Sequence, residues 1–492
     1  MRIVFVHTPM FTVQVEQRQS FWRSWDVQYH LAHPGLRHMR RNLWELPHWM
    51  HWLAGVLVAR GYGDIEVLDL YTVEGLVVAG SDKLDENALR RAVADHPGDV
   101  FLFSPMVVNL HFACQISKMV KDLHPSAVTV YGGVAATPLA SHVAGLPSVD
   151  YVIADRGEVA LPELLDALTA RADVAAVGNL FYRTSGGEVV RTRLRYPQLA
   201  AAEIPFPKID LFPPDVGEDI RYLRQVYALG CPYQCSFCTI QTIGRKPEYF
   251  PIDRVLNEIR AYRGRYGNHH NIYWGDETFT LNTERTMTLL KALEIEGDVN
   301  YDCQTRLNCL NDNRLLRKLK SSGCQWVEIG LETNFQQSHE QHKHHMKVSA
   351  TEETLKRVQD AGLATCSFVV NGFPDQSPDD MRRSIDWVAG LIDNGLLQAS
   401  YMSMLVPYPG SALFEFPERY GMTLIHRDFS LYHEDMEPVF ATQLSTPDQT
   451  YDVFLQGLNQ LAQAMARNSH SDGAGDPADL SGYGTFWAGA HV

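Results

Sequence analysis

The chain has 492 residues, of which 45% are hydrophobic and 21% are charged, and it carries a formal net charge of -15 at pH 7. This length exceeds one typical core and predicts two domains, while the negative charge argues against nucleic acid as a partner because phosphate binding requires basic patches. The sequence contains no apolar run long enough for a membrane span, so we expect a cytoplasmic protein with reduced cysteines and no membrane partner.

The first 160 residues alternate strand and helix patterns. Helical patterns cover residues 49–60 and 112–123, and apolar strand runs cover residues 3–6, 65–70, 100–103, 128–131 and 151–153. Strands spaced by helices of this length predict an α/β fold with a doubly wound parallel sheet, which binds ligands at the carboxyl ends of its strands. Gly132 and Gly133 follow the fourth of these strands.

Two stretches of this half break the alternation. Residues 12–49 are rich in aromatic residues, His and Arg without a clean period, which indicates either a lid over a ligand or an irregular packing segment. Residues 161–215 combine one helix, a hairpin signal at Gly186 and Gly187, and a proline-marked linker. We place the domains at residues 1–160, 161–215, 216–430 and 431–492, and the Gly- and Ser-rich tail at the end is expected to be mobile.

The second half repeats a strand and a helix six times. Helical patterns such as the one around residues 252–262 place apolar side chains on one face. Six such units predict a partial (β/α)6 barrel with its chemistry at the carboxyl ends of the strands. The predicted strands cover residues 223–229, 272–274, 301–306, 326–331, 367–370 and 401–406.

Three cysteines after the first of these strands, Cys231, Cys235 and Cys238, have the spacing Cx3Cx2C. Three thiolates can hold three irons of a 4Fe-4S cluster and leave the fourth iron open. A cluster that only transfers electrons normally has four cysteine ligands, and a structural zinc site would need a fourth Cys or His. The spacing therefore favours a catalytic cluster, with zinc and a distant His as the alternative.

The other cysteines and a histidine run have simpler explanations. Cys303, Cys309 and Cys324 could hold a second cluster, but they lack clustered spacing, and buried free cysteines are common. The run His339, His342, His344 and His345 has the composition of a metal site, yet it lies in a polar stretch before a helix, where solvated side chains are expected.

The cysteine motif, with Phe237 directly before the last cysteine, resembles the cluster loop of the radical S-adenosylmethionine (SAM) enzymes. The resemblance implies that the methionine part of SAM chelates the open iron. One electron from the cluster then breaks the sulfonium bond and yields a 5′-deoxyadenosyl radical.

Five further residues fall at strand ends that the same resemblance assigns to SAM. The turn at Gly275, Asp276 and Glu277 resembles the family's contact to the SAM amino group, although such turns are usually helix caps. Arg306 could pair with the SAM carboxylate or form a surface salt bridge. Glu332 resembles the acid that contacts the ribose or amino-acid part.

Three other residues complete the predicted site. Gly372 would permit close approach of the adenosyl group. Tyr222 and Tyr227 lead into the cysteine motif. Either phenol could relay a hydrogen atom to a substrate radical, although packing inside the barrel is the simpler role.

The amino-terminal half resembles the cobalamin-binding domain of one radical SAM branch. Gly132 and Gly133 at a strand end, and the helix that opens at residues 155–158, carry this resemblance. The Asp-x-His-x-x-Gly signature that supplies histidine to cobalt is missing, since the first strand continues from His7 into Thr8. The resemblance implies a corrinoid without a protein ligand to cobalt, and the alternative is a related fold that binds none.

We therefore predict an enzyme that abstracts hydrogen from a small molecule, most plausibly for cobalamin-dependent C-methylation in natural product biosynthesis. The alternative is cobalamin-independent dehydration or rearrangement of a sugar or aminoglycoside-like substrate. A third hypothesis is a non-catalytic redox-sensing protein. The resemblance implies 4Fe-4S, SAM and cobalamin as cofactors, and a flavodoxin or ferredoxin as electron donor.

Overall fold

A computed structural model describes residues 1–10, 15–32, 43–78, 83–194, 198–218, 220–242, 244, 246–268 and 271–470. Parts of the segment predicted as a lid or packing region, residues 12–14 and 33–42, lie outside the described residues, as does the tail from residue 471. Among the described helices, none combines the length and hydrophobicity of a membrane span.

The described residues of the amino-terminal half form eight strands and seven helices. The strands are β1 (Ile3–His7), β2 (Leu43–Glu45), β3 (Ile65–Asp69), β4 (Val100–Phe103), β5 (Val128–Tyr131), β6 (Tyr151–Ile153), β7 (Leu180–Arg183) and β8 (Val189–Arg191). The helices are α1 (Glu16–Ala32), α2 (His48–Ala59), α3 (Glu86–Ala94), α4 (Leu110–Leu123), α5 (Gly133–Ala136), α6 (Ala140–Ala144) and α7 (Gly157–Ala170).

Five parallel strands form the centre of the first sheet in the order β3-β1-β4-β5-β6. All four residues of β4 are buried, as expected for a parallel strand covered on both faces. This order confirms the predicted doubly wound sheet. The order of the strands reverses between β1 and β4, and such a switch point opens a ligand crevice at the carboxyl edge.

The two sheets do not follow the predicted domain limits closely. The hairpin of β7 and β8, predicted from Gly186 and Gly187, adds two antiparallel strands to the first sheet. Strand β2, by contrast, pairs in parallel with a strand of the second sheet. Residues from the first domain thus complete the second, and the sequence-based limits remain a prediction.

In the part of the second half that the structure describes there are ten strands and eight helices. The strands are β9 (Ile220–Gln225), β10 (Ala228–Leu229), β11 (Glu248–Tyr249), β12 (Asn271–Trp274), β13 (Tyr301–Thr305), β14 (Cys324–Glu332), β15 (Ala364–Asn371), β16 (Ala399–Met404), β17 (Met422–Leu424) and β18 (Phe440–Thr442). The helices are α8 (Ile252–Tyr266), α9 (Thr283–Glu296), α10 (Asn313–Ser321), α11 (Gln336–Ser338), α12 (Thr351–Asp360), α13 (Pro378–Asp393), α14 (Ala412–Glu415) and α15 (Pro447–His470).

A parallel sheet in the order β16-β15-β14-β13-β12-β9-β2 forms the partial barrel. Its six predicted strands are confirmed, and β2 adds a seventh. The first strand was predicted too long, because β9 ends at Gln225 and residues 228–229 pair with β11 in a separate ladder. Helix α13 shows how sequence sets the boundaries, since Ser377 and Asp380 form a capping box around Pro378.

Helix α1 lies against the inner face of the barrel, which we define as the row of side chains that includes Tyr222, Asp302, Trp326, Glu328 and Tyr401. The Trp25 ring lies 6.1 Å from that of Trp326, and the Tyr29 ring lies 5.9 Å from that of Tyr222. The helix also packs against α15. Residues 16–32 are therefore a packed helix, and neither a lid nor an irregular segment.

The carboxyl edges of the two sheets face each other. Val107 after β4 and Ala135 after β5 share a small apolar cluster with Val406 after β16. A Cβ built on Gly410 would overlap Thr242 and lie 3.1 Å from Pro138 Cβ. The loops that follow these strands in both domains consequently border one cleft.

Candidate active site

The cysteine loop, residues 231–238, follows the ladder of β10 and β11. Cys231 and Cys235 are buried and Cys238 is half-buried. Ser236 fixes the loop, because its N–H donates to His342 O at 2.8 Å and its carbonyl accepts from Leu413 N–H at 3.0 Å. The three thiols therefore project from one loop that is anchored on both sides.

The three thiols are mutually close, and burial raises the pKa of two of them. Burial raises the pKa of Cys231, and it raises the pKa of Cys238 to about 12 with a further contribution from Cys235 and Cys231. The described residues contain no three His, Cys, Asp or Glu side chains arranged around a single ion. A cubane cluster places each thiolate on a different iron, so this donor set fits a 4Fe-4S cluster with one iron open, and binding would release the thiol protons.

The remaining cysteines do not form a second site in the described part of the chain. Cys303 and Cys324 are buried in the barrel core, where their thiols interact. Cys309 lies apart from them, with its Sγ 3.6 Å from Tyr233 Oη. Cys303 and Cys324 thus lie in the core, whereas Cys309 is half-buried beside the cysteine loop.

The histidine turn, residues 339–345, packs directly on the cysteine loop, a contact that the sequence did not reveal. It begins with a π-helical segment at His339–Lys343, an irregularity that is frequent at functional sites. His342 Nδ1 lies 2.7 Å from Ser236 Oγ, and its ring stacks on Phe373 at 5.0 Å. The expectation of solvated histidines holds for His344 and His345 and is wrong for His339 and His342, which are buried.

Arg306 joins the cysteine loop to the histidine turn. Its Nη1 donates to Cys235 Sγ at 3.3 Å, and Nη2 donates to the carbonyls of Lys343 at 3.0 Å and His344 at 2.6 Å. The guanidinium stacks 3.9 Å from the centre of the Tyr233 ring. Arg306 is therefore buried beside the cluster loop and is not a surface ion pair.

Glu332 and Lys343 form a buried ion pair above Gly330. Lys343 Nζ also donates to Gly330 O at 2.7 Å. Glu332 has a positive φ of 60°, a conformation that is rare outside glycine and is often retained at functional sites. The predicted SAM contact of Glu332 would have to form beside this ammonium.

The two acidic residues of the turn after β12, Asp276 and Glu277, have different surroundings. Asp276 is buried and accepts the N–H groups of Tyr227 at 3.0 Å and Ala228 at 2.6 Å, and burial raises its pKa to about 8. Glu277 is half-buried and its charge acts on the thiols of Cys231 and Cys238. Asp276 thus braces the chain before the cysteine loop, and Glu277 is the better placed of the two for a ligand at the cluster.

Two glycines of the predicted site border other side chains. A Cβ on Gly275 would overlap the Arg224 guanidinium, and one on Gly372 would lie 3.0 Å from Thr450 Cγ2 of α15. Gly372 has a φ of 100°, where side chains are strained. Phe237 packs edge-on against Phe373 at 5.7 Å, so the cysteine loop touches the loop that Gly372 opens.

The two candidate tyrosines lie below the cysteine loop. Tyr222 is fully buried on the inner face, and its phenol donates to Asp302 Oδ2 at 2.5 Å. The phenol of Tyr227 donates to Arg285 O at 3.2 Å, toward α9. Both contacts support barrel packing, and a hydrogen-atom relay remains a prediction.

The crevice of the first sheet brings Gly132 and Gly133 close to the loop after β4. Gly133 has a φ of 80°, and a Cβ there would overlap Ser104 Oγ. Gly132 is extended and a Cβ would meet only Ile153 O, at 3.6 Å. At the end of β1, His7 Nδ1 lies 2.8 Å from Asp69 Oδ1, so its ring is oriented by a carboxylate of the same edge.

Comparison with known proteins agrees with this geometry. The profile of the Radical SAM superfamily matches residues 226–388, which include the cysteine loop, the histidine turn and strands β12 to β15. An uncharacterized methyltransferase of Pyrococcus horikoshii is 24% identical over 355 residues, which are 71% of this chain and 74% of the relative.

Two solved structures share the fold of both halves. The radical SAM methyltransferase TsrM of Kitasatospora setae, with cobalamin and a [4Fe-4S] cluster bound, has a TM-score of 0.63 at 15% identity and covers 92% of this chain and 82% of that one. The cobalamin-dependent radical SAM enzyme OxsB, with aqua-cobalamin and SAM bound, has a TM-score of 0.66 at 15% identity, with 92% and 65% covered.

A cysteine loop at the carboxyl end of a partial barrel is the arrangement of a radical SAM domain, which implies a 4Fe-4S cluster and SAM as cofactors. Residues 226–388 match the Radical SAM superfamily, and the two halves together have the fold of TsrM and OxsB.

Proposed function

We propose that this enzyme transfers a methyl group to a carbon atom of a small molecule and uses cobalamin together with SAM. The facing carboxyl edges of the two sheets support this most directly. Val107 and Ala135 of the first edge contact the same apolar cluster as Val406 of the second. A corrinoid in the crevice of the first sheet and SAM at the barrel would therefore share one cleft.

Residues of this chain have separate tasks in that reaction. Cys231, Cys235 and Cys238 would hold the cluster, and Arg306 would donate its N–H to the Cys235 sulfur. Glu277 would accept a hydrogen bond from the SAM amino group. When bound, the cluster and SAM supply a 5′-deoxyadenosyl radical to a substrate C–H bond, and cobalamin supplies the methyl group.

The fit of the first sheet to a corrinoid rests on its backbone. Gly132 leaves room above the end of β5, because a Cβ there would meet only Ile153 O. His7 lies at this edge with its Nδ1 paired to Asp69, a contact that by itself leaves Nε2 available. Because the Asp-x-His-x-x-Gly signature is missing after β1, we expect His7 not to ligate cobalt, so His7→Ala should leave the cobalamin spectrum unchanged.

The proposal is tested by anaerobic reconstitution with iron, sulfide and hydroxocobalamin, followed by removal of free cofactor. We expect iron near four and cobalt near one per chain, and 5′-deoxyadenosine on addition of SAM and a reductant such as flavodoxin or ferredoxin with its reductase. Deoxyadenosine without bound cobalt would reject the methyl-transfer proposal in favour of cobalamin-independent dehydration or rearrangement. Bound cobalt without deoxyadenosine would favour a non-catalytic protein.

Replacing Cys231, Cys235 and Cys238 with Ala should abolish the cluster absorbance, because each thiolate is one of three protein ligands. Cys309→Ala is the matched control, since this thiol lies beside Tyr233 of the same loop and is not among the proposed ligands. The measurement is iron and sulfide per chain. Loss of iron from the Cys309 variant would make it a ligand and overturn the three-cysteine assignment.

A further inference from the structure

The inner face of the barrel is covered by α1 toward the amino ends of the strands and is partly open toward their carboxyl ends. Trp25 and Tyr29 of α1 cover its lower part, where Trp25 Nε1 donates to Cys366 Sγ at 3.5 Å. Nearer the carboxyl edge, the inner-face residues are half-buried, so this region remains accessible. These half-buried residues are Arg224, Gln304, Gly330, Phe368, Val370 and Ser403.

Glu328 lies at the boundary between these parts. It is 4% exposed, and its Oε2 accepts from Tyr273 Oη at 2.9 Å. Tyr273 is the hydrogen-bond donor given for Glu328, and no Lys or Arg among the described residues forms an ion pair with it. A buried carboxyl without a counter-charge at the base of an open region indicates a cationic ligand group that completes it.

The nearby cations already have partners. Arg224 pairs with Glu45 and Lys343 pairs with Glu332. Burial and the adjacent Asp302 raise the pKa of Glu328 to about 8, and no described cation offsets this by stabilising the ionised carboxylate. A positively charged ligand would stabilise that ionised form.

We propose that Glu328 binds a protonated amine of the substrate on the inner face of the barrel, which assigns the substrate to the class of small organic cations. This assignment rests on the proposed radical SAM function and specifies its substrate. Aromatic side chains border the same region, with the Trp22 and Tyr401 rings 5.5 Å apart, and they would pack against the carbon skeleton.

The position of Glu328 also limits which carbon reacts. It precedes Glu332, the end of β14, by four residues, or roughly 13 Å along a strand. Because the cysteine loop and the proposed SAM contacts lie at that end, the reacting carbon is expected several bonds from the nitrogen.

The test compares two probes of the same shape, 4-fluorobenzylammonium and 4-fluorobenzyl alcohol, by fluorine NMR on the reconstituted holoenzyme with SAM and without reductant. We expect the ammonium to bind about tenfold more tightly or better. Glu328→Gln should abolish that preference, and Glu353→Gln, at an exposed position of α12, should retain it.

Equal affinities, or no binding of either probe, in the unaltered enzyme would overturn the assignment without any variant. A preference that persists in Glu328→Gln would also overturn it, by placing the cation elsewhere. The measurement needs neither cobalamin nor turnover. Failure of the methyl-transfer proposal would appear as absent cobalt while the ammonium preference remained.

Discussion

Arg306 shows how far the role of a residue can depend on contacts distant in sequence. Its position after β13 suggested a contact with the SAM carboxylate. Its N–H groups instead contact Cys235 Sγ and the carbonyls of Lys343 and His344. Hydrogen bonds to the sulfur ligands of a cluster raise its reduction potential because they stabilise the reduced form. These contacts favour the interpretation that Arg306 positions the cysteine loop around the cluster.

We expect Arg306→Gln to lower the reduction potential of the cluster and to loosen the histidine turn, because the donor to Cys235 Sγ is lost. The measurement is a redox titration followed by electron paramagnetic resonance, with SAM affinity measured in parallel. Arg357→Gln is a control with a guanidinium that bonds to Asn311 at the surface. An unchanged potential with SAM binding weakened about tenfold or more would restore the assignment to the SAM carboxylate.

The sequence predicted some residues of the site better than others. The three cysteines were predicted from their spacing together with the preceding strand and Phe237 and stay a prediction as cluster ligands, and the predicted need for Gly372 agrees with its positive φ. Asp276 was predicted as a ligand, but its oxygens accept backbone N–H groups. The histidine turn was misjudged because a π-helical segment has no periodicity that a sequence pattern would show.

At the scale of elements, α1 was missed because its polar side chains are inside. Arg18, Asp26 and Gln28 are buried together with aromatic residues of the same helix, so the buried face is itself partly polar and contrasts little with the exposed face. The strands, in contrast, were predicted because parallel strands covered on both faces are continuous apolar runs.

Arg18→Met tests this helix. The Arg18 guanidinium forms an ion pair with Asp435 and donates to Met402 O at 2.8 Å, so its loss leaves Asp435 buried without its partner. We expect destabilisation by about 3–5 kcal/mol, measured as a lower thermal midpoint. Arg23→Met, at an exposed position of the same helix, should change little, and Arg18→Met with Asp435→Asn should recover part of the loss. Equal midpoints for the Arg18 and Arg23 variants would contradict this account.

At the scale of the whole molecule, the cleft between the sheets distinguishes two adjacent glycines. Gly132→Val should fold, because a Cβ there has only one near neighbour, but it should lower the cobalt retained after reconstitution if the corrinoid lies on this edge. Gly133→Ala should lower the thermal midpoint with or without cobalamin, because the positive φ costs about 1–2 kcal/mol and the new Cβ overlaps Ser104 Oγ.

The two measurements separate binding from folding. Cobalt content measures whether the crevice retains the corrinoid, and the thermal midpoint without cobalamin measures the stability of the fold. Deoxyadenosine formation should persist in Gly132→Val, since the cysteine loop belongs to the other sheet. Full cobalt retention by this variant would show that the corrinoid does not approach Gly132.

The pairing of α1 with α15 limits how this enzyme can be divided for engineering. Gln28 Nε2 donates to Met465 O at 2.8 Å, and β2 extends the barrel sheet beside β9. A barrel excised at residue 216 would lose α1 and β2 and would expose Tyr222 and Trp326 to water. A chimera that exchanges the first sheet between related proteins should therefore keep α1 and β2 with the barrel that they complete.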